Sequence, residues 1–178
     1  MIGRLYRLEL KELTDKTLEL FNVKSTDELI KAIPRNYNNK DIMQQFCDLV
    51  KNDLDVDWLQ KIYQYYEADR KDKGQDYTPQ TLADLMAKLA EINDDQIVDI
   101  CAGSGALTIA AWRQNKHIKA HCIEYDDHVI PILIFNLAIR NIDATVNQED
   151  FLSREIFKTY RIEPGEKFGK VTAYDSSN

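Results

Sequence analysis

The sequence predicts an α/β fold: a parallel βαβαβ sheet preceded by a small helical N-terminal region. Three observations predict it. Short apolar runs at 97–101 and 120–124 suit buried parallel strands, and 144–148 suits a third. Between them, 106–114 and 127–141 carry helical periodicity. Upstream, residues 1–70 read as helices throughout. Strand, helix, strand, helix, strand at this spacing is one half of a doubly wound sheet.

The elements follow in order. Leu5, Leu8, Leu13 and Phe21 recur loosely at helical intervals. Ser25 followed by Glu28 fits a capping box opening a short helix that must stop near Pro34. Residues 39–51 place Ile42, Met43, Phe46, Leu49 and Val50 on one face. Trp58, Leu59, Ile62, Tyr63 and Tyr66 repeat the pattern, and this stripe reads as a packed helix face rather than a base-stacking surface. The charged stretch 68–76, with Gly74, is the best linker. It divides a helical region, 1–70, from a sheet-bearing domain, 76–178. Thr78 reads as an N-cap and Pro79 as the first residue of a helix carrying Leu82, Leu85, Met86 and Leu89. Pro131 falls in a first helical turn, where its missing N–H costs little. Residues 168–178 are the candidate fourth strand, with Asp175 near its tip.

Composition narrows the classes. With 178 residues and a 44% hydrophobic share, the chain can hold one sizeable domain or such a domain with a small appendage. No run approaches the roughly 18 apolar residues that span a bilayer, and the N-terminus has no signal-peptide core. A cytoplasmic protein without membrane contact is expected. Cys47, Cys101 and Cys122 lie far apart and read as small buried hydrophobes. His117, His121 and His128 follow no zinc-ligand spacing, so no metal is expected. The formal net charge is −7, with no basic stripe to neutralise phosphates. Any DNA contact would then need a local patch or a partner subunit.

The central motif runs from Asp99 through Ile100, Cys101, Ala102, Gly103, Ser104, Gly105 and Ala106 to Leu107. It follows a predicted strand and opens a helix, the place where sheets of this kind bind ligands. Its two glycines allow a sharp turn and a close ligand approach. A dinucleotide fingerprint wants a small residue where Thr108 stands, and a P-loop wants a Gly-Lys pair that is absent. Asp99 at the strand end disfavours a pyrophosphate and suits an amine-bearing, cationic ligand such as S-adenosyl-L-methionine. Glu124, 25 residues on, ends the next strand, where a carboxylate can accept from ribose hydroxyls. Asp150, followed by Phe151, ends the third, where a carboxylate can accept from an adenine amine beside a covering ring.

With Tyr77-Thr78-Pro79 upstream, the chain resembles the adenine-N6 DNA methyltransferases, particularly the modification subunits of type I restriction systems. The resemblance covers about residues 76–152 well and the helical region in general character. It implies a Rossmann-like S-adenosylmethionine-dependent methyltransferase fold, in whole or in part, and DNA and other restriction-modification subunits as partners. Tyr77 and Thr78 would border the methionine part of the cofactor. Gly103 and Gly105, in a cofactor-binding turn that includes Ala102 and Leu107, would line its tail. Asp99 would fix the amino group directly or through water. Glu124 would hold the ribose, Tyr125 and Phe151 would flank the adenine, and Asp150 would accept from its amine. On this reading Gly105→Asp abolishes cofactor binding and leaves the fold largely intact.

One part is missing. The family holds the target amine with Asn/Asp/Ser-Pro-Pro-Tyr/Phe after a fourth strand. The four prolines here, Pro34, Pro79, Pro131 and Pro164, are never adjacent. No catalytic residue is assigned, and Asp175 is only a weak candidate. The expected function is the cofactor-binding domain of an adenine-N6 DNA methyltransferase-like protein, not catalytically complete by itself. The alternatives are a non-catalytic S-adenosylmethionine-binding regulatory or assembly protein, or another nucleotide-binding Rossmann-like domain. Thr108 and the Tyr-Thr-Pro tripeptide argue against the last.

Overall fold

Polar side chains at helix starts set where the N-terminal helices begin. The computed structural model describes residues 2–66, 78–90 and 95–175. It opens with α1 (Ile2–Leu20) and α2 (Thr26–Ala32). Ser25 Oγ accepts from Glu28 N at 3.2 Å, while Glu28 Oε2 reaches back to Lys24 N at 2.8 Å, one residue beyond the usual box. Pro34 sits in a short 3-10 turn, Ile33–Asn36. Asn39 caps α3 (Lys40–Leu49), and Asp57 Oδ1 accepts from Gln60 N at 2.8 Å at the start of α4 (Trp58–Tyr66). Leu59, Ile62 and Tyr63 are buried, so the aromatic stripe is a packed face.

Residues 67–77 and 91–94 lie outside the described residues, and with them the linker and Tyr77. Beyond come α5 (Gln80–Leu89), β1 (Gln96–Ile100), α6 (Ala106–Gln114), β2 (Lys119–Glu124), α7 (Ile130–Ile139) and β3 (Asp143–Asp150). These are followed by β4 (Glu155–Glu163) and β5 (Lys170–Asp175). The strand order is β1-β2-β3-β4-β5. The first three strands are parallel, joined by α6 and α7, which is the βαβαβ unit the sequence predicts. β4 is antiparallel to β3, and β5 to β4. The fold is Rossmann-like α/β, extended past β3 by a hairpin.

That hairpin corrects one expectation. A strand does occupy 170–175, and it runs in the same direction as β3. It lies at the far side of the sheet from β1, however, four strand spacings away, or on the order of 19 Å.

α7 explains how the two regions join. All ten of its residues are buried. A helix apolar all round needs cover on every side, and here the sheet supplies one side and the N-terminal helices the other. Phe135 meets Phe21 and Phe46 edge-on, with ring centroids 5.8 and 5.6 Å away. One hydrophobic core therefore runs from Phe21 through α7 to Val146 and Ile162.

α5 departs from its sequence pattern. Ala83 and Ala87 pack on Ala110 of α6, small residues that let the two helices approach closely. The larger Leu82, Leu85, Met86 and Leu89, expected to face inward, are exposed, as are Val98 and Ile100 on β1. No helix among the described residues is long and apolar enough to cross a membrane.

Candidate functional site

The parallel pairing aligns the carboxyl ends of β1, β2 and β3. Ile100 stands opposite Ile123, Glu124 stands opposite Gln148, and Asp150 lies two residues farther along β3. Strand polarity thus puts the glycine turn, Glu124 and Asp150 on one edge of the sheet.

The turn after β1 is built from left-handed residues. Cys101, Gly103 and Gly105 have φ of 59°, 57° and 95°. Ala102 N donates to Ile123 O at 2.9 Å, extending the β1–β2 ladder into the turn. Gly105 N then donates to Ala102 O at 2.9 Å and closes it. Around Gly103 no atom lies within 4 Å of where a Cβ would stand, so the turn borders open space. Gly105 differs: a Cβ there would come 2.9 Å from Leu133 Cδ1. An aspartate at 105 would press on Leu133 as well as on the site, so a stability loss is expected beside lost binding. Cys101 is exposed, against the expectation of a buried thiol, because its left-handed backbone leaves the strand pattern at that point.

Glu124 ties the turn to β2. Its Oε2 accepts from Gly103 N at 2.7 Å, and its Oε1 accepts from Tyr125 N and Asp126 N at 2.8 and 2.9 Å. Asp99 is only 6% exposed. Its Oδ2 accepts from Thr108 Oγ1 at 2.6 Å and Thr108 N at 3.2 Å, which caps the first turn of α6 from the strand. Burial raises the pKa of Asp99 above the ordinary carboxylate value, and the bonds from Thr108 oppose that rise. Thr108, which is wrong for a dinucleotide fingerprint, is therefore the partner of Asp99. Leu107 is exposed on the first turn of α6 and Ala102 is buried.

The β3 end is more open. Asp150 Oδ1 accepts from Leu152 N at 2.9 Å and Ser153 N at 3.3 Å, and these amides hold its pKa low. Phe151 is half-buried with the Arg154 guanidinium 4.1 Å from its ring centroid. Tyr125, 64% exposed, meets Phe157 edge-on at 6.0 Å. Asp175 ends β5 in register with Lys158, far along the edge from the glycine turn.

Thr78 is not the cap of α5. The helix starts at Gln80 with Pro79 in the cap position and no side-chain capping bond. Thr78 instead lines a cleft of about 300 Å³ between α4, α5 and α6, together with Asp57, Lys61, Ala106, Ile109 and Arg113. Asp126, Asp127 and His128 bring ligand atoms within 4.8 Å of one another at the surface. There His128 Nδ1 already lies 2.6 Å from Asp127 Oδ1.

Sequence reasoning missed the layer behind the turn. Asn136 Nδ2 donates to Asp57 Oδ1 at 2.9 Å and to Ser104 O at 3.0 Å, linking the helical region to the glycine turn. Arg140 donates to Leu54 O, Val56 O and Asn136 O at 2.8–2.9 Å. Asn136 and Arg140 stand four apart at one end of an otherwise apolar helix. That spacing is a readable sign of buried polar partners.

The family model described as N-6 DNA Methylase matches residues 52–173, well over half of the chain. No curated protein sequence and no solved structure matches it significantly.

Proposed function

The chain belongs to the N-6 DNA methylase family, and from that premise we propose that it is the S-adenosylmethionine-binding domain of an adenine-N6 DNA methyltransferase-like protein of restriction-modification type. One observation carries the reading. Three adjacent parallel strand tips carry, in order, a glycine turn, a glutamate bonded to that turn, and an aspartate followed by an aromatic ring. The residues fit the cofactor on two counts. Space stands open where Gly103 would carry a Cβ, and the carboxylates of Glu124 and Asp150 can accept from donor groups of an adenosine ligand.

In this reading Gly103 and Gly105 border the amino-acid tail, with Thr78 beside it and Tyr77 next in sequence. Glu124 accepts from the ribose hydroxyls. Asp150 accepts from the adenine amine, with Tyr125 and Phe151 as its apolar walls. When bound, the cofactor supplies a methyl group made electrophilic by its sulfonium. The residues of this chain bind and orient, and none of them is assigned to the transfer. The tetrapeptide that holds the target amine is not among these 178 residues. A second reading is a non-catalytic cofactor-binding regulatory or assembly protein. With a net charge of −7, contact with DNA would rest on a local basic patch or on a partner subunit.

Titration calorimetry with S-adenosylmethionine, followed by methyl transfer to adenine-containing DNA, tests both readings. Saturable binding supports the cofactor site. Binding without transfer, even with partner subunits present, selects the second reading. Transfer by the purified chain would overturn the view that it is catalytically incomplete.

A further inference from the structure

Asp57 has a carboxylate oxygen that none of the described residues uses. Its side chain is 8% exposed, yet it lines the cleft between α4, α5 and α6. Oδ1 is fully engaged, with Gln60 N at 2.8 Å and Asn136 Nδ2 at 2.9 Å. Oδ2 has no hydrogen-bond partner among the described residues. Ser104 of the glycine turn is 1% exposed, and its hydroxyl lies near enough to favour the charged carboxylate, but Ser104 Oγ makes no ordinary hydrogen bond there either. A buried acceptor left unpaired is costly, and more so when it is charged. Such a group calls for an explanation, and a ligand that completes it is one.

The neighbours limit what that ligand is. Asp99, the carboxylate next to the turn, already takes two bonds from Thr108 on its Oδ2. Burial raises the pKa of Asp57, and Arg140 opposes that rise while directing its donors to Leu54, Val56 and Asn136. Carboxylates, Asp55 and Asp57, and cations, Lys61 and Arg113, line the same cleft, which Thr78 borders, and Arg113 is also paired with Asp84. A lining that carries both charges suits a zwitterion.

We infer that Asp57 Oδ2, presented by the helical region beside Ser104, receives the α-ammonium of the cofactor's amino-acid tail, whose carboxylate lies toward Thr78 and the cations that line the cleft. This rests on the cofactor reading above and adds to it a ligand residue from outside the sheet. It also makes the helical region part of the binding site, since Asp57 joins that region to the ligand and Asn136 joins Asp57 to the glycine turn.

The test compares ligands that share adenosine and differ in the tail. S-adenosylhomocysteine carries the amino-acid tail, its deamino analogue lacks only the ammonium, and 5′-methylthioadenosine lacks the whole tail. Each is titrated by calorimetry into the full chain and into Asp57→Asn and Asp57→Ser, which retain a helix-capping oxygen. The wild type is expected to favour S-adenosylhomocysteine over both other ligands by about tenfold or more, the usual effect of a charged hydrogen bond. Both variants should lose the preference over the deamino analogue and bind 5′-methylthioadenosine as the wild type does. A variant that keeps the wild-type preference overturns the assignment. If neither variant folds, the wild type decides alone, because equal affinity for S-adenosylhomocysteine and its deamino analogue overturns it. Failure of the wild type to bind any of the three overturns the cofactor reading, and this inference with it.

Discussion

The two ends of the candidate site are built differently. At the glycine-turn end, polar groups are buried and bonded across long sequence distances: Asp99 to Thr108, Asn136 to both Asp57 and Ser104, Glu124 to Gly103. At the β3 end, bonds are local. Asp150 holds only the two amides that follow it closely, and Leu152 beside it is 92% exposed. One end is part of the core and the other sits on top of it. Substitutions at the first should therefore disturb stability and binding together, while those at the second should touch binding alone.

The largest expected effect is at Gly105. Gly105→Asp drives a side chain against Leu133 from a φ of 95°, so thermal unfolding should show a large stability loss together with lost S-adenosylmethionine binding. Gly103→Asp is the sharper probe. Its side chain would enter open space, so the stability cost should stay near the 1–2 kcal/mol of a left-handed residue while binding is abolished. Unchanged affinity in Gly103→Asp would break the comparison at its strongest point.

Asp99→Ala leaves Thr108 N unpaired inside the protein and leaves Thr108 Oγ1 only Cys122 Sγ at 3.5 Å. Denaturant titration should show a loss of about 1–3 kcal/mol. The pH dependence carries a sign. The folded pKa of Asp99 is raised, so the folded state binds the proton more readily than the unfolded chain does. Its contribution should therefore favour folding as pH falls through the folded pKa toward the unfolded value. Above the folded pKa that contribution is lost. Unfolding of wild type and Asp99→Asn across acidic pH should isolate it, and a contribution of the opposite sign would contradict the burial argument.

Glu124→Ala should weaken cofactor binding by about 1–3 kcal/mol in calorimetry, with a smaller effect on stability. At the open end, Asp150→Ala should weaken binding several-fold with no measurable shift in thermal midpoint. Smallest in effect is a labelling test. In the native protein Cys101 should alkylate near pH 8 while Cys47 and Cys122 do not, since both are buried and burial pushes the Cys122 thiol up to about 12. S-adenosylhomocysteine should slow labelling of Cys101, which stands at the turn.

The same contrast explains what could be read from the sequence. The glycine turn, the parallel strands and Pro131 in the first turn of α7 follow from local rules, and each is where the pattern puts it. The acidic strand tips share an edge because parallel pairing dictates it. β5 lies within the predicted 168–178, but β4 was not readable, because it alternates weakly and a bulge at Gln148/Glu149 shifts its register. α5 misled because its leucines form a stripe while its alanines make the contact. Asp57 was hidden because its partner Asn136 stands 79 residues away, and no local window holds both.

The central claim is that the carboxyl edge of β1, β2 and β3 cradles a sulfonium-bearing adenosine. A crystal structure grown with S-adenosylhomocysteine tests it most directly. The account predicts density for the ribose at Glu124, the adenine at Asp150 and Phe151, and the tail past Gly103. Ligand density elsewhere on the molecule, with this edge bare at saturating concentration, would contradict it.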